Sequence, residues 1–409
     1  PEASVGLVAD RTAAVDPTAS VRPAVRAQRP RPVRTHVGAA SADAADIVGA
    51  SAWHDAGITG RVRVGVIDFF DLGVWDPDLH GPVPGAERRF CLDTIGSGYC
   101  PIPTDGSRVG DGHEHGVAVV EVLRSIAPDA EVFLATVASV SDLRAAIDWF
   151  AANDVRIVTR SLGSAWDGPG DGTGPLDAVV DHATSLGITW INSVGNEGAG
   201  RYARFVAEIT PSGSVDFDPG PGVDETLLVT GGCIGFDGIR WAGDWSLPAE
   251  QRSDYRIELD QRYAPITVID LPQAEGAPPL EAADHYSCPV FGRYEIRIRR
   301  MSTGGDPTPD VIEIALFQGQ IEDDRSSAAY SAAKAPADSH SPALLAVGAV
   351  DPADGSTIAP YSSQGPTNDG RITPHLVAPS CLTNSMYSPT RYGPGACFDG
   401  TSASSPVVA

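Results

Sequence analysis

VRIVTRSLGSAW (Val155–Trp166), PLDAVVDHATSLG (Pro175–Gly187) and ITWINSVGN (Ile188–Asn196) carry the pattern from which the architecture follows. The outer segments read as strands, and the middle one repeats its apolar residues at helical spacing. Strand, helix, strand in close succession is the unit of a parallel sheet covered by helices. The same alternation runs upstream. RVRVGVIDFFD (61–71) reads as a strand, GHEHGVAVVEVLRSIAP (112–128) as a glycine turn entering a helix, AEVFLATV (130–137) as a strand, and VSDLRAAIDWFAAND (140–154) as a surface helix. SADAADIVGASAWHDAGITG (41–60) adds a short amphipathic helix ending at a glycine. The class is α/β, with helices on both faces of the sheet.

Near residue 200 the rhythm changes. FVAEITPSGSVDF (205–217), DETLLVTGGCIGF (224–236), RSDYRIELDQR (252–262), APITVIDLPQ (264–273), GRYEIRIRRMS (292–302) and DVIEIALFQGQI (310–321) are short alternating segments separated by Gly, Pro, Asp and Ser. That spacing predicts an antiparallel sandwich. The α/β pattern returns at SHSPALLAVGAVDPADG (339–355). Three regions follow: an extended Arg/Pro-rich arm or leader remnant over 1–44, an α/β body over 45–202 and 339–409, and a β-rich insert over 203–338. YEIRIRR reads as an edge or half-solvated strand. Trp241 and Trp245 are either an exposed aromatic platform or packed residues, one in the insert core and one at its junction with the body.

Composition narrows the function. The formal charge is −24, and Lys334 is the only lysine among the basic residues. Such acidity repels nucleic-acid phosphates and anionic membrane surfaces, so neither is an expected partner, and no apolar run is long enough to cross a bilayer. Six cysteines without a CxxC or Cys/His metal spacing read as disulfides in an oxidising compartment. Short loop closure favours Cys91–Cys100, Cys233–Cys288 and Cys381–Cys397, among fifteen open connectivities. The first residue, Pro1, is not Met, which points to an upstream segment removed or left out.

VIDFFD (66–71), HGVAV (115–119), VGNEG (194–198) and GTSASSPVVA (400–409) occur in that order. An Asp, His, Ser succession is one of three unrelated orders in which such triads occur. Together with SIAPDAEV (125–132), SLGS (161–164) and YSSQGPTNDGRITPHLVAPS (361–380), these motifs resemble the subtilisin-like serine protease family. The resemblance covers about 45–202 and 339–409. It implies a subtilisin-like parallel sheet flanked by helices, interrupted by an inserted antiparallel β-sandwich-like domain.

The resemblance assigns roles residue by residue. Ser402, at the mouth of a helix after Gly400 and Thr401, is the implied nucleophile, and a serine hydroxyl needs an adjacent base. His115 is that base, with His113 as rival. Asp68, at the carboxyl end of the strand VGVI, fixes the histidine tautomer, with Asp71 as rival. Asn196 is the implied oxyanion donor. Ser161, Leu162 and Gly163 form the edge on which peptide lies as an added strand. Ser193, Val194 and Gly195 line one wall of the primary pocket, whose small neutral character favours apolar or aromatic groups; the opposite wall is not identifiable.

Departures from the family pattern are Phe69-Phe70 where Ser/Thr-Gly is usual, bulk expected to narrow adjoining subsites, and His375 and Ser380 where Asp and Gly are usual. The family also continues well past the residue equivalent to Ala409, so a trimmed chain is expected. The implied activity is secreted endoproteolysis of protein or peptide substrates through an acyl-enzyme, with no cofactor required and structural calcium as a family habit. Two alternatives use the same residues: an inactive subtilisin-fold binding protein, and a peptide ligase or macrocyclase. Labelling of the serine discriminates the first, product masses the second.

Overall fold

Strands buried on both faces of a sheet need side chains that are apolar in both directions. In the computed structural model, β1 (Arg63–Ile67) and β3 (Glu131–Val137) meet that condition. Val64, Val66, Val132 and Leu134 enter one core, whereas Ile67, Phe133, Ala135 and Val137 enter the other. The structure describes residues 43–409 apart from 165, 199, 219, 243–244, 246, 262–264, 272–277, 289–291, 305–308 and 323–333. The arm expected over 1–44 thus lies almost entirely outside the described residues.

The body is a parallel sheet in the order β16 (Leu376–Pro379), β15 (Leu344–Val350), β5 (Thr189–Ser193), β4 (Ile157–Arg160), β1, β3, β2 (Arg89–Leu92). On one face lie α4 (His115–Ile126) and α8 (Thr401–Val408); on the other, α5 (Val140–Ala152) and α6 (Pro175–Ser185). Ser139 caps α5 by accepting the Asp142 N–H, and Pro175 starts α6 where its missing N–H costs nothing. The single helix expected in 41–60 is two, α1 (Ala44–Val48) and α2 (Ala50–Asp55), because Gly49 adopts φ 76° between them. Short α3 (Pro77–His80) and α7 (Pro389–Tyr392) complete the α-helices among the described residues.

The insert is a separate antiparallel sheet in the order β11 (Thr267–Ile269), β10 (Asp254–Asp260), β13 (Arg293–Ser302), β9 (Leu227–Ala242), β14 (Val311–Ile321), β6 (Tyr202–Val206), with β12 (Leu280–Ser287) also on β9. A small ladder joins β7 (Glu208–Ile209) and β8 (Val215–Asp216). Strand β13, which contains YEIRIRR, is central rather than an edge, pairing with both β10 and β9. Tyr294, Ile296 and Ile298 face the core, while Arg297 and Arg299 lie near Glu258 on the solvated face. Trp241 is fully buried against Tyr255, so it forms no exposed platform; Trp245 is half-buried.

Insert and body share a buried polar junction. Arg240 of β9 pairs with Glu313 of β14 at 2.8 Å and donates to the Gly168 carbonyl at 2.7 Å. Tyr202 Oη donates to Glu313 at 2.5 Å, the Asn368 amide donates to its other oxygen, and Trp166 Nε1 donates to the Asp237 carbonyl at 3.2 Å. Three disulfides, Cys91–Cys100, Cys233–Cys288 and Cys381–Cys397, use all six cysteines.

Beside this junction Asp167, Asp177 and Asp338 are buried together. Burial pushes Asp167 up to about 7, opposed by the Leu176 N–H and reinforced by Asp338, and burial likewise raises Asp338 to about 6. A carboxyl group with a raised folded-state value holds a proton that the unfolded chain releases above its ordinary value near 3.8. Stability from this source is therefore complete below about pH 4 and lost as pH rises toward 7, a swing on the order of 4 kcal/mol for Asp167. Asp167→Asn is expected to flatten this slope, measured by urea unfolding at pH 4, 5.5 and 7; an unchanged slope would contradict the assignment.

Candidate active site

Asp68 directly follows β1 at the carboxyl edge of the sheet, where parallel strands present residues to a crevice. It is 1% exposed. Its backbone is pinned on both sides, by Asp68 N–H to Ala135 O at 3.0 Å and by Thr136 Oγ1–H to Asp68 O at 2.8 Å. The carboxylate accepts the Phe69 N–H at 2.8 Å and faces His115 Nδ1, which lies 2.9 and 3.0 Å from its two oxygens. A carboxylate in that position requires the proton on Nδ1, leaving Nε2 as the basic nitrogen. Next to it, Arg160 at the end of β4 is fully buried and donates to Leu162 O at 2.8 Å. Burial pulls its guanidinium down to about 10, against the upward pull of Asp68 and Asp167.

His115 opens α4, and the glycine behind it is sterically required. A Cβ on Gly116 would sit 2.5 Å from Phe69 O and 2.6 Å from the Phe70 ring. Phe69 and Phe70 are themselves buried, Phe69 against Tyr99 and His113, and Phe70 in the body core. The bulk expected to narrow adjoining subsites is thus turned inward. The imidazole of His115 meets the Phe398 ring edge-on at 5.5 Å, and Phe398 stacks on Tyr387. The two rivals do other work. Asp71 accepts the N–H groups of Gly73, Gly106 and Arg108, organising the loop before α4. His113 is buried among aromatic rings, and burial lowers its basicity.

Ser402 lies in the first turn of α8. Pro406 has no N–H, so the Ser402 carbonyl lacks its helical donor four residues on. Ser161 Oγ–H supplies that hydrogen bond at 3.0 Å, and lies 2.7 Å from Ser405 Oγ. In return Ser402 Oγ–H donates to Ser161 O at 3.1 Å. Ser161→Ala would orphan a half-buried carbonyl, and a loss of about 1–2 kcal/mol in urea unfolding is expected. A loss below 0.5 kcal/mol would show that another donor replaces the hydroxyl.

Asn196 is oriented from across the chain, by the first residue of α8. Thr401 N–H and Thr401 Oγ1–H both donate to Asn196 Oδ1, at 2.8 and 3.0 Å, which makes Nδ2 the donating end of the amide. Gly400, with φ 90°, lets the chain pass: a Cβ there would lie 3.1 Å from Asn196 Nδ2. Ser380 donates to Asp399 Oδ1 at 2.7 Å and lies 3.1 Å from Gly400 O. Tyr361 Oη donates to Asp399 at 2.5 Å and accepts the Gly400 N–H at 3.3 Å. Burial, then the Asp399 charge, raises the Tyr361 phenol and keeps it a donor. Ser380 therefore supports the turn that leads into the helix carrying Ser402. His375 sits farther off, its Nδ1 accepting the Ala346 N–H at 2.9 Å.

One cavity brings these residues together: His115, Ser161, Leu162, Gly163, Ser193, Gly195, Asn196, Thr401 and Ser402 line it. Val194 does not; it packs in a small core with Ala337 and Ala346, since alternate residues leaving a strand end face opposite ways. Glu197, Phe317 and Lys334 form the wall that sequence left open. Phe317 belongs to β14 of the insert, and Lys334 lies between β14 and β15. Neither carries a local sequence signal. Among the described residues no group of three or more His, Cys, Asp or Glu side chains is placed to hold a metal ion. Among the described residues no helix is long and apolar enough to cross a membrane.

The subtilase (peptidase S8) family pattern matches residues 321–409. The chain is 29% identical over 183 residues to subtilisin Savinase of Lederbergia lenta, covering 39% of this chain and 60% of that protein. The same identity and length relate it to an alkaline protease of Alkalihalobacillus alcalophilus, of which 42% is covered. The chain thus spans less than two thirds of these curated relatives. In fold it is similar to the CspB protease of Clostridium perfringens, with a TM-score of 0.50 and 16% identity over 89% of this chain and 84% of that one.

Proposed function

We propose that the chain, which matches the subtilase pattern over residues 321–409 and is 29% identical over 183 residues to subtilisin Savinase, is a secreted serine endopeptidase with an inserted antiparallel β region. The observation that carries this reading is the coupling of His115 Nδ1 to both Asp68 oxygens in a cavity also lined by Ser402 and Asn196. Ser402 Oγ rotates from the Ser161 carbonyl to attack the scissile carbonyl, and His115 Nε2 takes its proton. Asn196 Nδ2 and the Ser402 N–H at the start of α8 hold the developing oxyanion. His115 then protonates the leaving amine, and water, deprotonated by the same nitrogen, releases the acid from the acyl-enzyme. Peptide would lie as an added strand along Ser161–Gly163. Three disulfides support placement in an oxidising, extracellular setting.

A serine-directed fluorophosphonate tests the reading by intact mass. One adduct is expected on the parent and none on Ser402→Ala. No adduct on folded parent would move the inactive binding protein ahead. Adduct formation with ligated rather than hydrolysed peptide products would favour the ligase.

A further inference from the structure

We propose that the insert makes this a small-residue-specific protease: Lys334, paired with Glu197 and backed by Phe317, forms a floor that admits only small uncharged side chains on the acyl side of the scissile bond. The inference rests on the endopeptidase reading and names its substrate class. Lys334 Nζ is 2.5 Å from Glu197 Oε1 and 3.7 Å from Asp237 Oδ2, and the side chains of Lys334 and Glu197 are 11% and 7% exposed. Glu197 is itself fixed, its other oxygen accepting Ser363 Oγ–H at 2.8 Å.

The pair closes the pocket between its two glycine walls. A Cβ on Gly163 would lie 3.5 Å from Lys334 Cε, and one on Gly195 would collide with the Glu197 carboxylate. The backbone beside Lys334 is held by an antiparallel bridge between Ser164 and Ala335, with Ser164 N–H to Ala335 O at 3.0 Å. Phe317 lies over Gly235, where any side chain would overlap its ring. The cavity that these residues share with His115, Asn196 and Ser402 has a volume of about 60 Å³. A benzene ring occupies an apolar cavity of about 150 Å³, and one water's share of liquid is about 30 Å³. An aromatic ring would have to expel one member of the ion pair and leave the other buried without its partner, which is unfavourable. A charged side chain would compete with a partner already in place. On this reading the pocket is narrower than the one favouring apolar or aromatic groups that Ser193–Gly195 alone lead one to expect.

Chromogenic peptides that differ only in the acyl-side residue (Ala, Leu, Phe, Asp, Lys) test the proposal in the parent, Lys334→Ala, Lys334→Met and Lys334→Ala/Glu197→Gln. In the parent, kcat/KM for Ala should exceed that for Phe, Asp and Lys at least tenfold. Lys334→Ala and the double variant, which leaves no buried unpaired carboxylate at 197, should raise the Phe/Ala ratio at least tenfold. Lys334→Met keeps the length without the charge and should preserve the Ala preference. Equal or better cleavage after Phe by a parent that takes the fluorophosphonate label overturns the floor while leaving the endopeptidase intact. So does a Phe/Ala ratio that stays at the parent value in the double variant. Loss of the label in the parent would instead sink the underlying reading.

Discussion

Ser402→Ala is expected to lower kcat for peptide hydrolysis by about 10⁶-fold, and Asp68→Asn by about 10⁴-fold, with the fold intact in both. The serine variant removes the attacking oxygen, and whatever rate remains comes from binding and the oxyanion donors. The aspartate variant is the sharper test, because almost nothing changes sterically. Asp68 accepts from His115 Nδ1 through both oxygens and is sealed from water. An asparagine can turn its NH₂ toward Nδ1, which selects the tautomer with the proton on Nε2. That nitrogen could no longer take a proton from Ser402. The rate of fluorophosphonate labelling should fall in parallel with kcat. If Asp68→Asn keeps more than a tenth of the parent kcat, the carboxylate does not set the tautomer, and the triad reading loses its third member.

For stability, the largest effect is expected from Glu313→Ala, a loss of about 3–5 kcal/mol in urea unfolding. The carboxylate and the Arg240 guanidinium are 0% and 1% exposed, so the arginine would remain buried and unpaired with it. Opposing the burial of Arg240, the Glu313 carboxylate is the largest influence holding its guanidinium above the ordinary value. Tyr202 Oη and the Asn368 amide would lose the same acceptor. Glu313→Gln, which keeps acceptor capacity but not charge, should cost distinctly less. Near-parental stability for Glu313→Ala would mean that water or a neighbouring group re-solvates Arg240, and that the junction is looser than its contacts imply. Because β14 also carries Phe317, the alanine variant should loosen the proposed pocket floor as well.

Much of this molecule is written in short range. The strand–helix alternation of 61–71, 112–154 and 155–196 is enough to predict a helix-covered parallel sheet, because core-facing side chains repeat with the period of the element that carries them. The switch to period-two segments after residue 200 likewise predicts the antiparallel sheet. Motif order nominates Asp68, His115, Asn196 and Ser402 because each stands in a local turn whose chemistry its neighbours announce.

What sequence leaves open are contacts closed across the chain. Gly49 splitting one expected helix, β13 lying in the centre of its sheet, and Val194 turning from the pocket to the core all depend on neighbours supplied from elsewhere. So does the clasp of Ser161 on Ser402, which joins residues 241 positions apart. The pair of Lys334 with Glu197 spans 137 positions and sets the pocket floor. A hydrogen bond or an ion pair depends on separation in space, and neither periodicity nor motif spacing encodes that distance. Local residue patterns set the layers and the chemical groups available to this protein; folding in three dimensions settles which of those groups meet and how much room they leave.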